Sequence, residues 1–261
     1  MSKFSDFMKQ SDDVQVSLDV PKKVQKVFIG VNTLANIDQW VYSNHMPFFF
    51  DCGRLREQTR IKFILFAPPR MSIDRMRNEA ARIALEQECT HLMFIDDDVC
   101  LPEDSLRKLL KANKDIVAGV TYVRSYPFNP MIFDFSRKEN DFFMTDFKER
   151  IHNGLVKCDA VGFSCVLISM ELLKKTPPPY FVTGVNYTED VYFCKKVTEY
   201  FPETSIFVDP TIVTSHKLGT EFIDDSNMDF WKDYYKEVQK PKEDSYDRGD
   251  EYLKENALIE T

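Results

Sequence analysis

Two rhythms of apolar and polar positions alternate along the first 120 residues. Short apolar runs at 24–31, 61–66, 91–95 and 115–120 have the length and branching of strands, and polar or turn residues bound each one. Between them, apolar residues recur every three or four positions. The segment 36–45 carries Ile37, Trp40 and Val41 on one face of a predicted helix. Ser72 caps a second helix of about sixteen residues, striped by Met76, Ala80, Ile83 and Ala84. Pro102-Glu103-Asp104 opens a third, with a residue suited to the first helical position and acids suited to the dipole. This β-α-β-α-β-α-β alternation predicts right-handed crossovers and a mostly parallel sheet flanked by helices.

The second half is less regular. Segments 131–135 and 151–157 predict an antiparallel excursion around the polar loop 137–146. A strand is expected over 159–169, where Val161, Phe163, Cys165 and Leu167 alternate with smaller residues. Thr176-Pro177-Pro178-Pro179-Tyr180-Phe181 is a stiff loop, since proline excludes helix interiors and central strands. A helix over 188–200, short strands at 206–208 and 211–213, and a helix over 225–239 with Phe230, Trp231, Tyr234 and Val238 complete the pattern. There is no internal repeat. A single domain over 1–261 is expected, with an N-terminal arm over 1–22 and a charged tail over 240–261.

Composition narrows the function classes. A net charge of −8 argues against a nucleic-acid-binding surface. The chain has 8 Gly and neither G-x-G-x-x-G nor G-x-x-x-x-G-K-[ST], so any bound phosphate must be held by side chains and a metal. The 6 Cys are spread without a C-x-x-C pair, which points to buried free thiols in a reducing compartment. No segment approaches the roughly 18 apolar residues of a membrane span, and the first ten residues lack a signal-peptide core. A cytoplasmic location is therefore expected, with Asn186-Tyr187-Thr188 a coincidental glycosylation triplet.

The chemistry-bearing candidates stand at the ends of these elements. The run 91–95 ends in Asp96-Asp97-Asp98. Strand alternation would put Asp96 and Asp98 on one side and Asp97 on the other. Like charges on one side call for a divalent cation, and hard carboxylate oxygens suit Mg²⁺ or Mn²⁺; an Asp-rich solvated turn reads equally well from this stretch alone. Ligands of open parallel sheets sit beyond the carboxyl ends of the strands, where both Asn32 and the Asp triplet fall. In Thr188-Glu189-Asp190, Asp190 shares a stripe with Cys194, Val197 and Phe201, which suits either a general base at the inner rim or a dipole-satisfying acid. His216 follows an apolar strand and is either a third ligand or a surface residue. Tyr122, Phe163, Tyr180 and Trp231 suit a pocket wall or the core. Cys165 lacks a neighbouring His in sequence and is disfavoured as a nucleophile.

Taken in order, the polar exit of the first strand, Arg77-Asn78, Asp96-Asp97-Asp98, Gly162-Phe163, Thr188-Glu189-Asp190 and His216-Lys217-Leu218-Gly219 resemble the GT-A glycosyltransferases. The likeness spans about 24–219 and is strongest to inverting, family-2-like enzymes and small viral or phage relatives. It implies a Rossmann-like α/β fold with a smaller antiparallel acceptor-side portion. It also implies a metal set of Asp96, Asp98 and His216 holding Mn²⁺ or Mg²⁺, with Asp98 on the metal and Asp96 reaching the ribose or the metal's water shell. Asn32, Thr33, Arg77, Asn78, Asp96 and Asp97 would lie at the nucleotide, with Asp97 mainly structural. Asp190 would be the base, with Glu189 the next candidate. The implied partners are a nucleotide-diphosphate sugar, UDP-sugars favoured, and a glycan or glycoconjugate acceptor; a viral chain would work in the host cytoplasm. The absence of Q-x-x-R-W and of any membrane span favours single addition over polymerisation. The alternatives are a metal-dependent nucleotide-sugar phosphohydrolase or nucleotidyltransferase, and a non-catalytic sugar-binding domain.

Overall fold

The structure is a computed structural model, and it describes residues 20–238 apart from 22, 34–35, 137, 140, 145–153, 186 and 220. The chain begins with β1 (Lys26–Asn32), α1 (Gln39–Thr59), β2 (Lys62–Phe66), α2 (Ile73–Glu86) and β3 (His91–Asp96). It continues through β4 (Val99–Cys100), α3 (Ser105–Ala112), β5 (Ile116–Val120), β6 (Ile132–Ser136), β7 (Asp141–Met144) and β8 (Val156–Cys158). The last elements are β9 (Ala160–Val161), β10 (Cys165–Ser169), α4 (Met170–Lys175), α5 (Glu189–Tyr200), β11 (Ile206–Val213), β12 (Ser215–Leu218), β13 (Glu221–Ile223) and α6 (Met228–Val238).

The central sheet has the order β2-β1-β3-β10-β5-β11-β8. Strands β2, β1, β3, β5 and β11 run one way, while β10 and β8 run against them. This is the mixed, mostly parallel α/β architecture that the pattern predicts. Two small antiparallel sheets, β13-β12-β4 and β7-β6-β9, accompany it.

Strand alternation divides the core into two layers. Phe28, Leu92, Phe94, Ile116, Ala118, Val166 and Ile168 face the layer that holds Ala80, Ala81 and Ala84 of α2 and Phe193 and Val197 of α5. Their neighbours Val27, Ile29, Met93, Ile95, Val117, Cys165 and Leu167 face the layer that holds Phe48 and Leu55 of α1 and Leu106, Leu109 and Leu110 of α3. Both faces of the sheet are covered, which is why these strands read as continuous apolar runs.

Several expectations change. The helix placed at 36–45 begins at Gln39 and runs to Thr59, straight through Pro47. Buried Val41, His45, Phe48, Cys52 and Leu55 continue one stripe past the proline, so sheet packing outweighs the lost backbone donor. Trp40, expected on the inner face, is 75% exposed. The hairpin partner of β6 is β7, with β9 on its other edge, and β8 joins the central sheet instead. The strand expected over 159–169 breaks around Gly162, where a Cβ would meet Met131 at 2.8 Å. Residues 206–213 form one strand, with a register shift between Val208 and Val213 that accommodates Pro210. The expected arm over 1–22 (Val20 and Pro21 aside), the tail over 240–261, much of the polar loop, and residue 186 lie outside the described residues.

That register shift packs Ile212 onto Gly119 of β5. A Cβ at Gly119 would lie 2.8 Å from Ile212 Cγ2 and 2.9 Å from its carbonyl oxygen. Gly119→Ala is therefore expected to destabilise the protein by about 1–3 kcal/mol in denaturant melts. Gly53→Ala, in α1 with open space around the added carbon, should instead stabilise it by about 0.5–1 kcal/mol. Equal effects at the two positions would contradict the packing account.

Candidate functional site

Asn32 at the end of β1 pairs in parallel register with Asp96 at the end of β3. The β1 ladder ends there, so the chain cannot continue as strand. It turns at Asp97–Asp98 and re-enters a ladder as β4, paired with β12. Asp98 thus reaches the site from a turn, contrary to the strand alternation expected for it. Its place is set by β12: Lys217 N–H donates to the Asp98 carbonyl at 2.9 Å, and His216 lies in register with Val99. On the other side of Val99, His45 Nε2 donates to its carbonyl at 2.9 Å.

His216 is fixed from a third element. Its Nδ1 lies 2.6 Å from the Tyr122 carbonyl, which can only accept, so Nδ1 carries the proton. The ends of β5 and β11 are clamped beneath it. Thr214 Oγ1 donates to the Val120 carbonyl at 3.1 Å and lies 2.7 Å from Thr121 Oγ1. With Nδ1 protonated, the neutral ring presents the Nε2 lone pair, and Nε2 lies 3.5 Å from Asp98 Oδ2. Two acceptors facing each other repel unless a proton or a metal ion lies between them. One carboxylate oxygen and one oriented imidazole nitrogen form a donor set that fits a divalent ion such as Mn²⁺. Arg124 Nη1 also reaches Asp98 Oδ2, at 2.9 Å. When a proton rather than an ion lies between Nε2 and Oδ2, Nε2 donates to Oδ2 from a cationic ring. Burial alone would raise the Asp98 carboxyl, but that bond and charge, with the charge of Arg124, outweigh it and hold Asp98 below the usual carboxylate range.

Asp96 is held differently. Asn32 Nδ2 donates to its Oδ1 at 3.3 Å, and Arg77 Nη2 lies 3.1 and 3.5 Å from its two oxygens. Burial pushes its pKa up and the Arg77 charge pulls against it, while the Asp98 charge adds to the rise. Among the described residues, no group of three His, Cys, Asp or Glu has the geometry to hold a metal. The expected trio therefore separates into an Asp98–His216 pair and an Asp96 committed to Arg77 and Asn32.

Arg77 was expected to lie at the nucleotide. Its side chain is 3% exposed and its guanidinium carbon sits 5.3 Å from the ring centres of both Phe94 and Phe163. Nε lies 3.3 Å from Glu189 Oε1 without its N–H aligned on that oxygen, and Nη1 has no hydrogen-bonding partner among the described residues. Arg77 is thus a buried cation between Asp96 and Glu189. Asn78 is equally committed: its amide donates to the carbonyls of Asp74 and Phe181, and its oxygen accepts from Tyr180 N and Phe181 N. It anchors the proline-rich loop to α2.

On α5, the buried face holds Glu189, Phe193, Cys194 and Val197, one residue round from the expected stripe. Phe193 turns the helix by joining Phe163 and Phe181, with ring centres 5.8 and 4.9 Å away. Phe163 therefore belongs to the core and not to a pocket wall. Glu189 is raised by burial, against the pull of Arg77 and with the aid of Asp190. Asp190 stands at the half-buried rim, and its Oδ1 accepts from the Thr188 hydroxyl and from Val191 N–H. At the end of β1, Asn32 Oδ1 and Thr33 Oγ1 are buried without a hydrogen-bonding partner among the described residues.

Arg124 was absent from the sequence reading. It lies four residues beyond β5, so a search past every parallel strand end would have reached it.

No protein-family model matches this chain, and no curated protein matches it by sequence. Among solved structures, A197 from STIV is similar over 75% of this chain and 86% of its own, at 16% identity and a TM-score of 0.51. The likeness is one of fold. Weaker superpositions include 4-diphosphocytidyl-2C-methyl-D-erythritol synthase from Anaerococcus prevotii (10% identity, TM-score 0.39, 84% of this chain and 98% of that one). UDP-glucose pyrophosphorylase complexed with UDP-glucose superposes at 8% identity and a TM-score of 0.39, over 82% of this chain and 99% of that one.

Proposed function

We propose that this chain transfers one sugar from a nucleotide-diphosphate sugar, with UDP-sugars the favoured donors, to a hydroxyl of a glycan or glycoconjugate. In this reading it is a GT-A glycosyltransferase of the inverting, family-2-like kind, with Asp98 and His216 holding Mn²⁺ or Mg²⁺. The supporting observation is that pair: a carboxylate oxygen and an imidazole lone pair face each other at 3.5 Å beyond the parallel strand ends, with the tautomer set by the Tyr122 carbonyl. The ion supplies positive charge for the departing nucleoside diphosphate. Asn32 Oδ1 and Thr33 Oγ1, without a partner among the described residues, would take hydrogen bonds from the nucleotide. Asp96, kept in place by Arg77 and Asn32, would accept from the ribose. Asp190 would take the proton of the acceptor hydroxyl, because Glu189 is already committed to Arg77.

Nucleotidyl transfer is the second reading, favoured by Arg124, since a guanidinium beside the metal carboxylate suits a triphosphate as well as a diphosphate. A thermal-shift screen of nucleotide sugars and nucleoside triphosphates, with and without Mn²⁺, tests both. Stabilisation by a UDP-sugar only with Mn²⁺, followed by release of UDP on adding acceptor, is the expected result. Pyrophosphate release from a triphosphate plus a sugar phosphate would give the second reading the place of the first. Once a donor is found, Asp190→Asn should leave donor affinity within about twofold and lower turnover about 100-fold or more. Full turnover in that variant would move the base elsewhere.

A further inference from the structure

We propose that Arg124 is a displaceable counter-cation of Asp98, so that a divalent ion and the guanidinium compete for one oxygen and the displaced guanidinium then takes the ligand's phosphate charge. The inference rests on the metal reading of the Asp98–His216 pair. It starts from one atom: Asp98 Oδ2 meets Arg124 Nη1 at 2.9 Å and His216 Nε2 at 3.5 Å.

The two partners differ in how they are held. The His216 side chain is 9% exposed, its Nδ1 is fixed by the Tyr122 carbonyl, and its strand is laddered to β4 and β13. It cannot leave without breaking that structure. The Arg124 side chain is 53% exposed and ends a long flexible stem from the segment after β5. Only the Asp98 side chain of this pair, 26% exposed, is held from water, and the half-exposed guanidinium regains its hydration when it leaves, so releasing it costs less than releasing His216. A divalent ion placed between Oδ2 and Nε2 would carry twice the charge at shorter range and repel the guanidinium from the same oxygen. Arg124 would then be a free, anion-seeking fork next to the charge that attracts a diphosphate. The exchange would keep Asp98 compensated throughout and would couple metal arrival to phosphate capture.

The test uses the full chain, with Mn²⁺ alone and then UDP in saturating Mn²⁺, followed by calorimetry. Arg124→Gln is expected to bind Mn²⁺ about two- to fivefold more tightly than the parent, because its competitor is gone. The same variant should bind UDP about tenfold more weakly. Arg124→Lys should fall between parent and Gln on both measures. The gain in Mn²⁺ affinity should shrink as salt is raised, since the competing guanidinium stands partly in water. Unchanged or weaker Mn²⁺ binding in Arg124→Gln overturns the competition, even where parental Mn²⁺-dependent UDP binding upholds the metal reading. A parent that binds no Mn²⁺ overturns both.

Discussion

Asp98→Asn should abolish Mn²⁺-dependent nucleotide binding and lower any turnover by about 100-fold or more. The substitution keeps the shape of the side chain but removes the charge that compensates Arg124 and faces His216. An amide oxygen is a poorer ligand for a hard divalent ion, and the amide nitrogen cannot coordinate it. The backbone bond from Lys217 N–H to the Asp98 carbonyl does not involve the side chain, so the turn should survive. Because Asp98 sits below the usual carboxylate range, it is fully ionised near neutral pH and its charge is available there. Calorimetric titration of UDP with and without Mn²⁺ reads the effect directly. Equal metal-dependent binding in parent and variant would remove Asp98 from the site.

The largest expected stability loss belongs to Arg77→Met, at about 3–5 kcal/mol near pH 7. Methionine fills much of the space between Phe94 and Phe163 and keeps an apolar contact with both rings. What it cannot supply is the charge. Asp96 and Glu189 would remain in the same interior with no cation, and removing a partner from a buried charge network leaves the penalty of the stranded ions. The pH dependence has a definite sign. Both carboxyls already sit above their ordinary pKa values through burial, with Arg77 pulling them down. Without Arg77 they move further up in the folded state than in the unfolded one. The penalty is then fully present above the folded pKa and fades as pH falls through it, because the folded state takes up protons more readily. Denaturant melts at pH 7 and pH 5 should show the deficit of Arg77→Met shrinking at the lower pH. Adding Glu189→Gln should restore part of the loss at pH 7, since it removes one stranded charge. A deficit of the same size at both pH values would mean that lost packing, not charge, dominates.

Among the candidate residues, those whose place depends only on strand ends were legible in advance. Asn32 and Asp96 had to fall at the carboxyl edge of a parallel sheet once β1 and β3 were read as buried strands, and they stand in register there. His216 likewise comes three residues after the end of β11, at the start of β12. Orientation was not legible. A helix stripe read from residue types put Asp190 inward, whereas Phe193, being larger and able to join Phe163 and Phe181, rotates α5 and carries Glu189 inward instead. Arg77 gave a similar misreading, because nothing local shows that two carboxylates and two aromatic rings will enclose it. Its partners come from β3 and α5, brought together only by the fold.

The residue pattern by itself determined the alternation of strands and helices, the two-faced burial of the sheet, and the edge at which polar residues would collect. Those follow from period and local chemistry, which each segment carries alone. Tertiary structure decided which carboxylate each cation meets. Asp98 faces His216 because β12 ladders onto β4 across more than a hundred residues, and Arg124 reaches it from the segment after β5, while Asp96 faces Arg77 because α2 packs its inner side against β3. Burial then gives those long-range pairings their strength, since charges out of water must find partners wherever the fold supplies them.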